Sequence, residues 1–162
     1  MGFEIERKFL VRSADWRGLS AAGERISQGY LARTDNGNAE VRVRCYPSRA
    51  VITIKGAGEL MRSEFEYQIP CDDAHKMLGE FCRSSIIEKI RHAVQHAGVT
   101  WYVDEFLGKH AGLVLAEVEL ETADQTVGLP SWIGKEVTAD STYRNSNLAA
   151  DPRTWRTKTE AG

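Results

Sequence analysis

Short runs in which apolar and charged residues alternate, with charges of one sign recurring every second residue, constrain this chain more than any other feature. The first is Phe3-Glu4-Ile5-Glu6-Arg7-Lys8-Phe9-Leu10-Val11. Successive side chains of a β-strand point to opposite faces, so Glu4, Glu6 and Lys8 share one face while Ile5 and Phe9 share the other. The pattern recurs as Val41-Arg42-Val43-Arg44, Ile52-Thr53-Ile54-Lys55, Glu64-Phe65-Glu66-Tyr67, Lys89-Ile90-Arg91, Val103-Asp104 and Glu117-Val118-Glu119-Leu120. Each run reads as a strand with one apolar and one charged face.

The like-signed neighbours decide what those charged faces are for. Residues two apart on one face are separated by about 7 Å, so Glu beside Glu and Arg beside Arg repel unless another charge compensates. A solvated sheet with cross-strand ion pairs would supply part of that compensation and is the plain structural reading. Seven acids (Glu4, Glu6, Glu64, Glu66, Asp104, Glu117, Glu119) and six bases (Lys8, Arg42, Arg44, Lys55, Lys89, Arg91) on one surface fit more. Such a surface holds a polyanion on its bases and divalent cations on its acids.

Further strands are expected at Ile26 to Arg33, Ser85 to His92, Thr100 to Leu107 and Leu113 to Glu121. Turns are marked by Thr34-Asp35-Asn36-Gly37-Asn38, where Asn-Gly supplies positive φ, by Pro47-Ser48 and by Gly56-Ala57-Gly58. The last lacks the Gly-Lys-Ser/Thr ending and following helix of a phosphate loop and reads as a hairpin. Eight candidate strands, mostly in antiparallel succession, suffice to close a barrel. With charged faces inward, the barrel would enclose a ligand-filled tunnel, its apolar outer faces covered by helices. The expected covers are Asp72 to Phe81, where Asp72 and Asp73 can cap and Ala74, Met77, Leu78 and Phe81 recur at helical spacing, and Tyr143 to Ala149. Ser13 to Glu24 reads as a loop or short irregular helix anchored by Trp16 and Leu19.

The fold class is therefore mainly β (α+β), a single domain over residues 1–150 with a polar tail at 151–162 expected to fray. Its 162 residues can bury a substantial core. A net charge of −2 argues against wholesale nucleic-acid binding. Cys45, Cys71 and Cys82 are odd in number and widely spaced, which fits free thiols in a reducing, cytoplasmic compartment. His92 and His96 have a helical ligand spacing but fall at the end of a strand-like run, in an expected turn. Charge at the N-terminus speaks against a secretory signal, and no apolar run approaches the roughly 20 residues of a membrane helix.

These residues together resemble the CYTH superfamily, or triphosphate tunnel metalloenzymes, in its short bacterial form. Glu4-Ile5-Glu6-Arg7-Lys8 matches the Glu-x-Glu-x-Lys hallmark. The match continues through Gln28-Gly29-Tyr30-Leu31, Val41-Arg42-Val43-Arg44, Thr53-Ile54-Lys55, Glu64-Phe65-Glu66, Glu88-Lys89-Ile90-Arg91, Val103-Asp104 and Glu117-Val118-Glu119. It ends at Gly134-Lys135-Glu136-Val137-Thr138 and Tyr143-Arg144-Asn145. The resemblance implies an eight-stranded antiparallel tunnel that binds triphosphates with Mg²⁺ or Mn²⁺, two ions per site. It implies metal ligation by Glu4, Glu6, Glu117 and Glu119, with Glu64, Glu66 and Asp104 at a second ion or the attacking water. Lys8, Arg42, Arg44, Lys55, Lys89 and Arg91 would bind substrate, with Lys89 and Lys8 catalytic. Two positions depart from the pattern: Tyr102 stands where an acid is common, and Glu105 where an apolar residue is. Lys135 is given no role.

The activity implied is metal-dependent hydrolysis of inorganic tripolyphosphate to pyrophosphate and phosphate. The alternatives are a class IV-type adenylate cyclase, a thiamine or nucleoside triphosphatase, and a polyphosphate-binding module without turnover. The expected partner is a small triphosphate, with neither nucleic acid nor membrane, and the expected state is a monomer or homodimer.

Overall fold

The computed structural model describes residues 2–36 and 38–159. Gly37 of the expected hairpin turn and residues 160–162 of the tail lie outside them. Among the described residues nine strands form: β1 (Gly2–Val11), β2 (Glu24–Arg33), β3 (Ala39–Cys45), β4 (Ala50–Gly56), β5 (Met61–Ile69), β6 (Ile87–His96), β7 (Val99–Phe106), β8 (Val114–Glu119) and β9 (Ile133–Glu136). Their order is β5-β4-β3-β2-β6-β7-β8-β1-β9, and β1 also pairs with β5. That extra pairing closes eight antiparallel strands into the expected barrel and leaves β9 as an addition on β1. β9 falls in a four-residue stretch without the alternation that marked the others. β6 also runs further than expected, so His92 and His96 are strand residues and the turn falls at Ala97-Gly98, both with positive φ.

The register gathers the charged faces inside. Glu6 lies opposite Glu119 and Lys8 opposite Glu117 on β1 and β8. Arg42 faces Thr53 across β3 and β4, Lys55 faces Glu64 across β4 and β5, and Arg91 faces Asp104 across β6 and β7. Outside, helix α1 (Cys71–Phe81) lays Ala74 and Leu78 on Val43, Cys45 and Ala50. Its N-cap is Pro70 with no side-chain cap, so Asp72 and Asp73 sit in the first turn and favour the helix through its dipole instead. Gly29 on β2 lets this helix approach, because a Cβ there would lie 2.5 Å from Cys82 Cβ and 3.0 Å from Leu78 Cδ2. Gly29→Ala is expected to cost about 1–3 kcal/mol through overpacking, read as a lower urea midpoint at unchanged m-value.

A second part of the outer surface is covered by a 3-10 turn and loops, while Ile54 and Tyr67 on β4 and β5 stay exposed. Trp16, in a 3-10 turn at Asp15–Leu19, joins Leu120, Val127 and Trp132 over Phe9, Trp101 and Val118. The Trp101 ring lies 5.5 Å from Phe9 and 6.0 Å from Trp132. Leu19, expected as a second anchor, is instead exposed.

The second expected cover does something different. The chain from a 3-10 turn at Ser141–Tyr143 through α2 (Asn145–Ala150) to α3 (Thr154–Thr159) packs Tyr143, Leu148, Ala149 and Trp155 against Ile87, Phe106 and Leu115. Those three are inward-facing neighbours of Lys89, Asp104 and Glu117 on their strands. The inner face thus turns from charged to apolar at one end of the barrel, and this segment plugs that end. The expected tail thus contains a short helix, α3, held by buried Trp155. All four tryptophans are buried.

Candidate active site

A cavity of about 430 Å³ occupies the barrel interior. Glu4, Glu6, Lys8, Arg42, Arg44, Lys55, Glu64, Glu66, Arg91, Glu117 and Glu119 all line it, as their alternation on six strands required. Lys89 and Asp104 do not. Both are fully buried behind its wall, where the Lys89 ammonium lies 2.6 Å from Asp104 and 5.5 Å from the centre of the Phe106 ring.

Many of the charges neutralise one another. Lys55 sits 2.6 Å from Glu4 and 2.7 Å from Glu64, and Lys8 sits 3.0 Å from Glu117. Arg91 bridges Asp104 and Glu117, each at 2.7 Å. Burial alone would raise the Glu4 carboxyl, but Lys55 and Arg62 pull it down to about 2. Lys8 and Arg91 likewise overcome burial and hold Glu117 well below the usual carboxylate range. Asp104 stays ionised against its burial because Arg91 grips both its oxygens. Burial, helped by repulsion from Arg91 and Arg44, pushes Lys89 down to about 7.

What remains unbalanced is informative. Arg42 donates to Thr53 at 3.2 Å, and Arg44 to Gln28 at 2.9 Å and the Tyr46 hydroxyl at 3.2 Å. Among the described residues neither guanidinium has a carboxylate within 4.0 Å. Burial, with repulsion from Arg42 and Arg91, lowers the Arg44 pKa. On the acidic side, burial and the neighbouring Glu117 push Glu6 up to about 7, against an ammonium of Lys8 that is 3.8 Å away. Burial with Glu4 and Glu64 raises Glu119, and among the described residues Glu66 has only the Thr53 hydroxyl, at 3.0 Å. Among the described residues one barrel thus holds guanidiniums, Arg42 and Arg44, without an anion within 4.0 Å and carboxylates, Glu66 and Glu119, without a cation.

Hard divalent cations take carboxylate oxygens, so the chemistry of this acid set fits Mg²⁺ or Mn²⁺. Among the described residues no three acidic, His or Cys side chains already converge as a metal nest, because Glu4, Glu64 and Glu117 are engaged by Lys55, Lys8 and Arg91. Glu66 and Glu119, which have no cation among the described residues, and Glu6, whose Lys8 contact is long at 3.8 Å, are where the fit is best. Asp104 fits poorly, since its oxygens already accept from three donors on two cations.

Reading the strands one by one left out several cavity residues. Arg62 lies 3.2 Å from Glu4 and 3.5 Å from Glu40, and both Arg62 and Glu40 line the cavity with Tyr30. Extending the alternation of Glu64 back to Arg62, and of Arg42 back to Glu40, would have found them. Tyr102, the departure noted above, lines the cavity beneath the Arg91 guanidinium. Glu105 points outward, where Arg17 and His92 pair with it, so it takes no part in the interior. His92 also packs on Trp16 at 4.9 Å, which explains it without a metal.

The CYTH domain model matches residues 2–155. This chain belongs to the CYTH family. Among its relatives is an inorganic triphosphatase of Acetivibrio thermocellus, 42% identical over 153 residues, covering 94% of this chain and 96% of that one. An inorganic triphosphatase of Nitrosomonas europaea is 38% identical over 149 residues, covering 90% and 96%. The CYTH barrel also superposes on the crystal structure of the inorganic triphosphatase NE1496 with TM-score 0.66, at 34% identity over 92% of this chain and 95% of that one. The alternating charged strands are thus those of the CYTH tunnel, with β9 and the plug added to the eight-stranded barrel.

Proposed function

We propose that this chain is an inorganic triphosphatase that hydrolyses tripolyphosphate to pyrophosphate and phosphate inside the barrel, using Mg²⁺ or Mn²⁺. The observation that carries the reading is the split in the cavity. Among the described residues Arg42 and Arg44 have no anion within 4.0 Å, Glu66 and Glu119 have no cation, and Glu6 has only a long contact to Lys8 at 3.8 Å; a metal-bound polyphosphate supplies both charges. Two curated relatives named inorganic triphosphatase, matched over nearly their whole length, support the same phosphoanhydride chemistry.

Phosphoryl transfer depends on positioning and on neutralising charge on the phosphoryl oxygens, and needs no covalent nucleophile. Arg42 and Arg44 bind phosphate oxygens directly; Lys8, Lys55 and Arg91 do so while sharing their charge with acids. Glu4, Glu6, Glu117 and Glu119, with Glu64 and Glu66, hold the ions. Two bound ions would neutralise the substrate's oxygens and lower the pKa of a water. In the reaction the water oxygen bonds to a terminal phosphorus, the bond to the bridging oxygen breaks, pyrophosphate leaves and a proton is released. Lys8 reaches the cavity and is the catalytic candidate that can touch the reacting phosphate. Lys89 lies behind the wall, so its role is to position Asp104 and through it Arg91. The three free thiols suit a reducing cytoplasm.

The test is phosphate release from tripolyphosphate, ATP and thiamine triphosphate, each with Mg²⁺, Mn²⁺ or chelator, with ATP reactions also assayed for cyclic AMP. Fast turnover of tripolyphosphate that chelator abolishes is expected. Cyclic AMP would move the protein to the cyclases, and tight binding with no turnover would make it a binding module.

A further inference from the structure

The plug places one more cation on the cavity. Arg144 follows buried Tyr143 and precedes α2, and Arg144 and Asn145 both line the interior. Arg144 also lines a narrow cleft of about 20 Å³ between the β4–β5 turn and the plug. There its basic neighbours are Lys8 and Arg62, and its acidic ones are Glu6, Glu59 and Asp140. Its guanidinium donates to the Gly58 carbonyl at 3.2 Å. Among the described residues no carboxylate lies within 4.0 Å of it.

The position is held firmly. Leu148 and Ala149 are buried, and His110 Nε2 lies 2.7 Å from the Leu148 carbonyl. Arg33 donates to the Asn147 side chain at 3.0 Å, and the Lys8 ammonium lies 3.5 Å from the Tyr143 carbonyl. A guanidinium carries five donors in a planar fork that matches phosphate oxygens, and among the described residues this one makes a single side-chain hydrogen bond. A guanidinium with no carboxylate partner among the described residues, fixed at the plugged end of the cavity, marks an incomplete anion subsite.

We propose that Arg144 binds the terminal phosphate of the polyphosphate chain at the plugged end of the barrel. The strands grip the chain along its length, and the plug reads its end. The inference rests on the triphosphatase reading and adds a specificity-determining residue that comes from outside the barrel strands.

Arg144→Gln keeps a donor for the Gly58 carbonyl and removes the charge, while Arg144→Lys keeps the charge. Steady-state kinetics with tripolyphosphate, calorimetric binding of tripolyphosphate and thermal melting separate the possibilities. Arg144→Gln is expected to raise KM and weaken binding about tenfold, with kcat little changed and Tm held, as for loss of one charge-assisted bond. Arg144→Lys is expected to recover most of the loss. Unchanged KM and affinity in Arg144→Gln, with active wild type, would overturn the role of Arg144 and leave the triphosphatase reading intact. A KM rise that tracks a fall in Tm, unrescued by Lys, would make Arg144 a structural strut and overturn it as well. If wild type binds tripolyphosphate without turnover, the enzyme reading fails alone, and weaker binding by Arg144→Gln still supports the subsite. No binding by wild type would overturn both.

Discussion

Asp104→Ala is expected to lower the free energy of unfolding by about 3–5 kcal/mol, the loss typical when one partner of a buried ion pair is removed. Asp104 accepts from Lys89 at 2.6 Å and from two nitrogens of Arg91 at 2.7 Å, and both Asp104 and Lys89 are fully buried. Without the carboxylate, Lys89 has no counter-charge. It must lose its proton, a change made easier because burial already pushes it down to about 7, or admit water into an apolar surround of Ile87 and Phe106. Arg91 keeps Glu117 but loses the bidentate contact that aims it. Denaturant unfolding at neutral pH measures the loss. The double variant Lys89→Met with Asp104→Leu replaces the pair by apolar groups of similar volume, and such replacements are often neutral or stabilising. It is expected to recover much of the stability and little of the activity. A single-variant loss below about 1 kcal/mol, the range of ordinary substitutions, would show that the pair does not hold this part of the wall.

Glu6→Gln is expected to move stability and activity in opposite directions. The Glu6 carboxyl is pushed up to about 7 by burial and by Glu117, with Glu4 adding to the repulsion. Its side chain is only 18% exposed, so solvent relieves little of this. A carboxyl whose folded pKa lies above its unfolded value costs the native state stability at pH above the folded pKa, and nothing once pH falls below the unfolded one. In chelator at pH 8, the amide should therefore stabilise the protein by about 1–3 kcal/mol. The gain should shrink below pH 7 and vanish toward pH 4.5. Meanwhile metal-dependent turnover of tripolyphosphate should fall about 100-fold or more, since a carboxylate of the proposed metal set is gone. Calorimetric melts in chelator and phosphate release with Mg²⁺, made on one preparation, test both halves. Full activity in the variant would remove Glu6 from the metal set. A loss of stability at pH 8 would mean that the acids are balanced by groups other than a metal ion.

Both outcomes depend on a division between what local pattern determines and what only packing decides. The period-two alternation was sufficient for the barrel and for the membership of its interior, because a strand admits only two faces and eight such strands have one economical way to hide the charged one. Glu4, Glu6, Lys8, Arg42, Arg44 and Lys55 needed no tertiary information to be placed together. Tertiary structure decided how the charges divide. Lys55 satisfies Glu4 and Glu64 while Arg42 and Arg44 stay without an acid, a result of register and shear that no single strand encodes. It also decided the depth of each group. Lys89 and Arg91 look equivalent on one strand, yet Arg91 lines the cavity and Lys89 is sealed behind it, because the plug packs on Ile87 and Phe106 beside Lys89. The plug itself read as an amphipathic outer cover, since α2 carries the same apolar spacing whether it lies on a barrel or inside its end. Only the switch of the inner face from Lys89, Asp104 and Glu117 to Ile87, Phe106 and Leu115 made the end of the barrel the place where that apolar surface is buried, and brought Arg144 to the cavity.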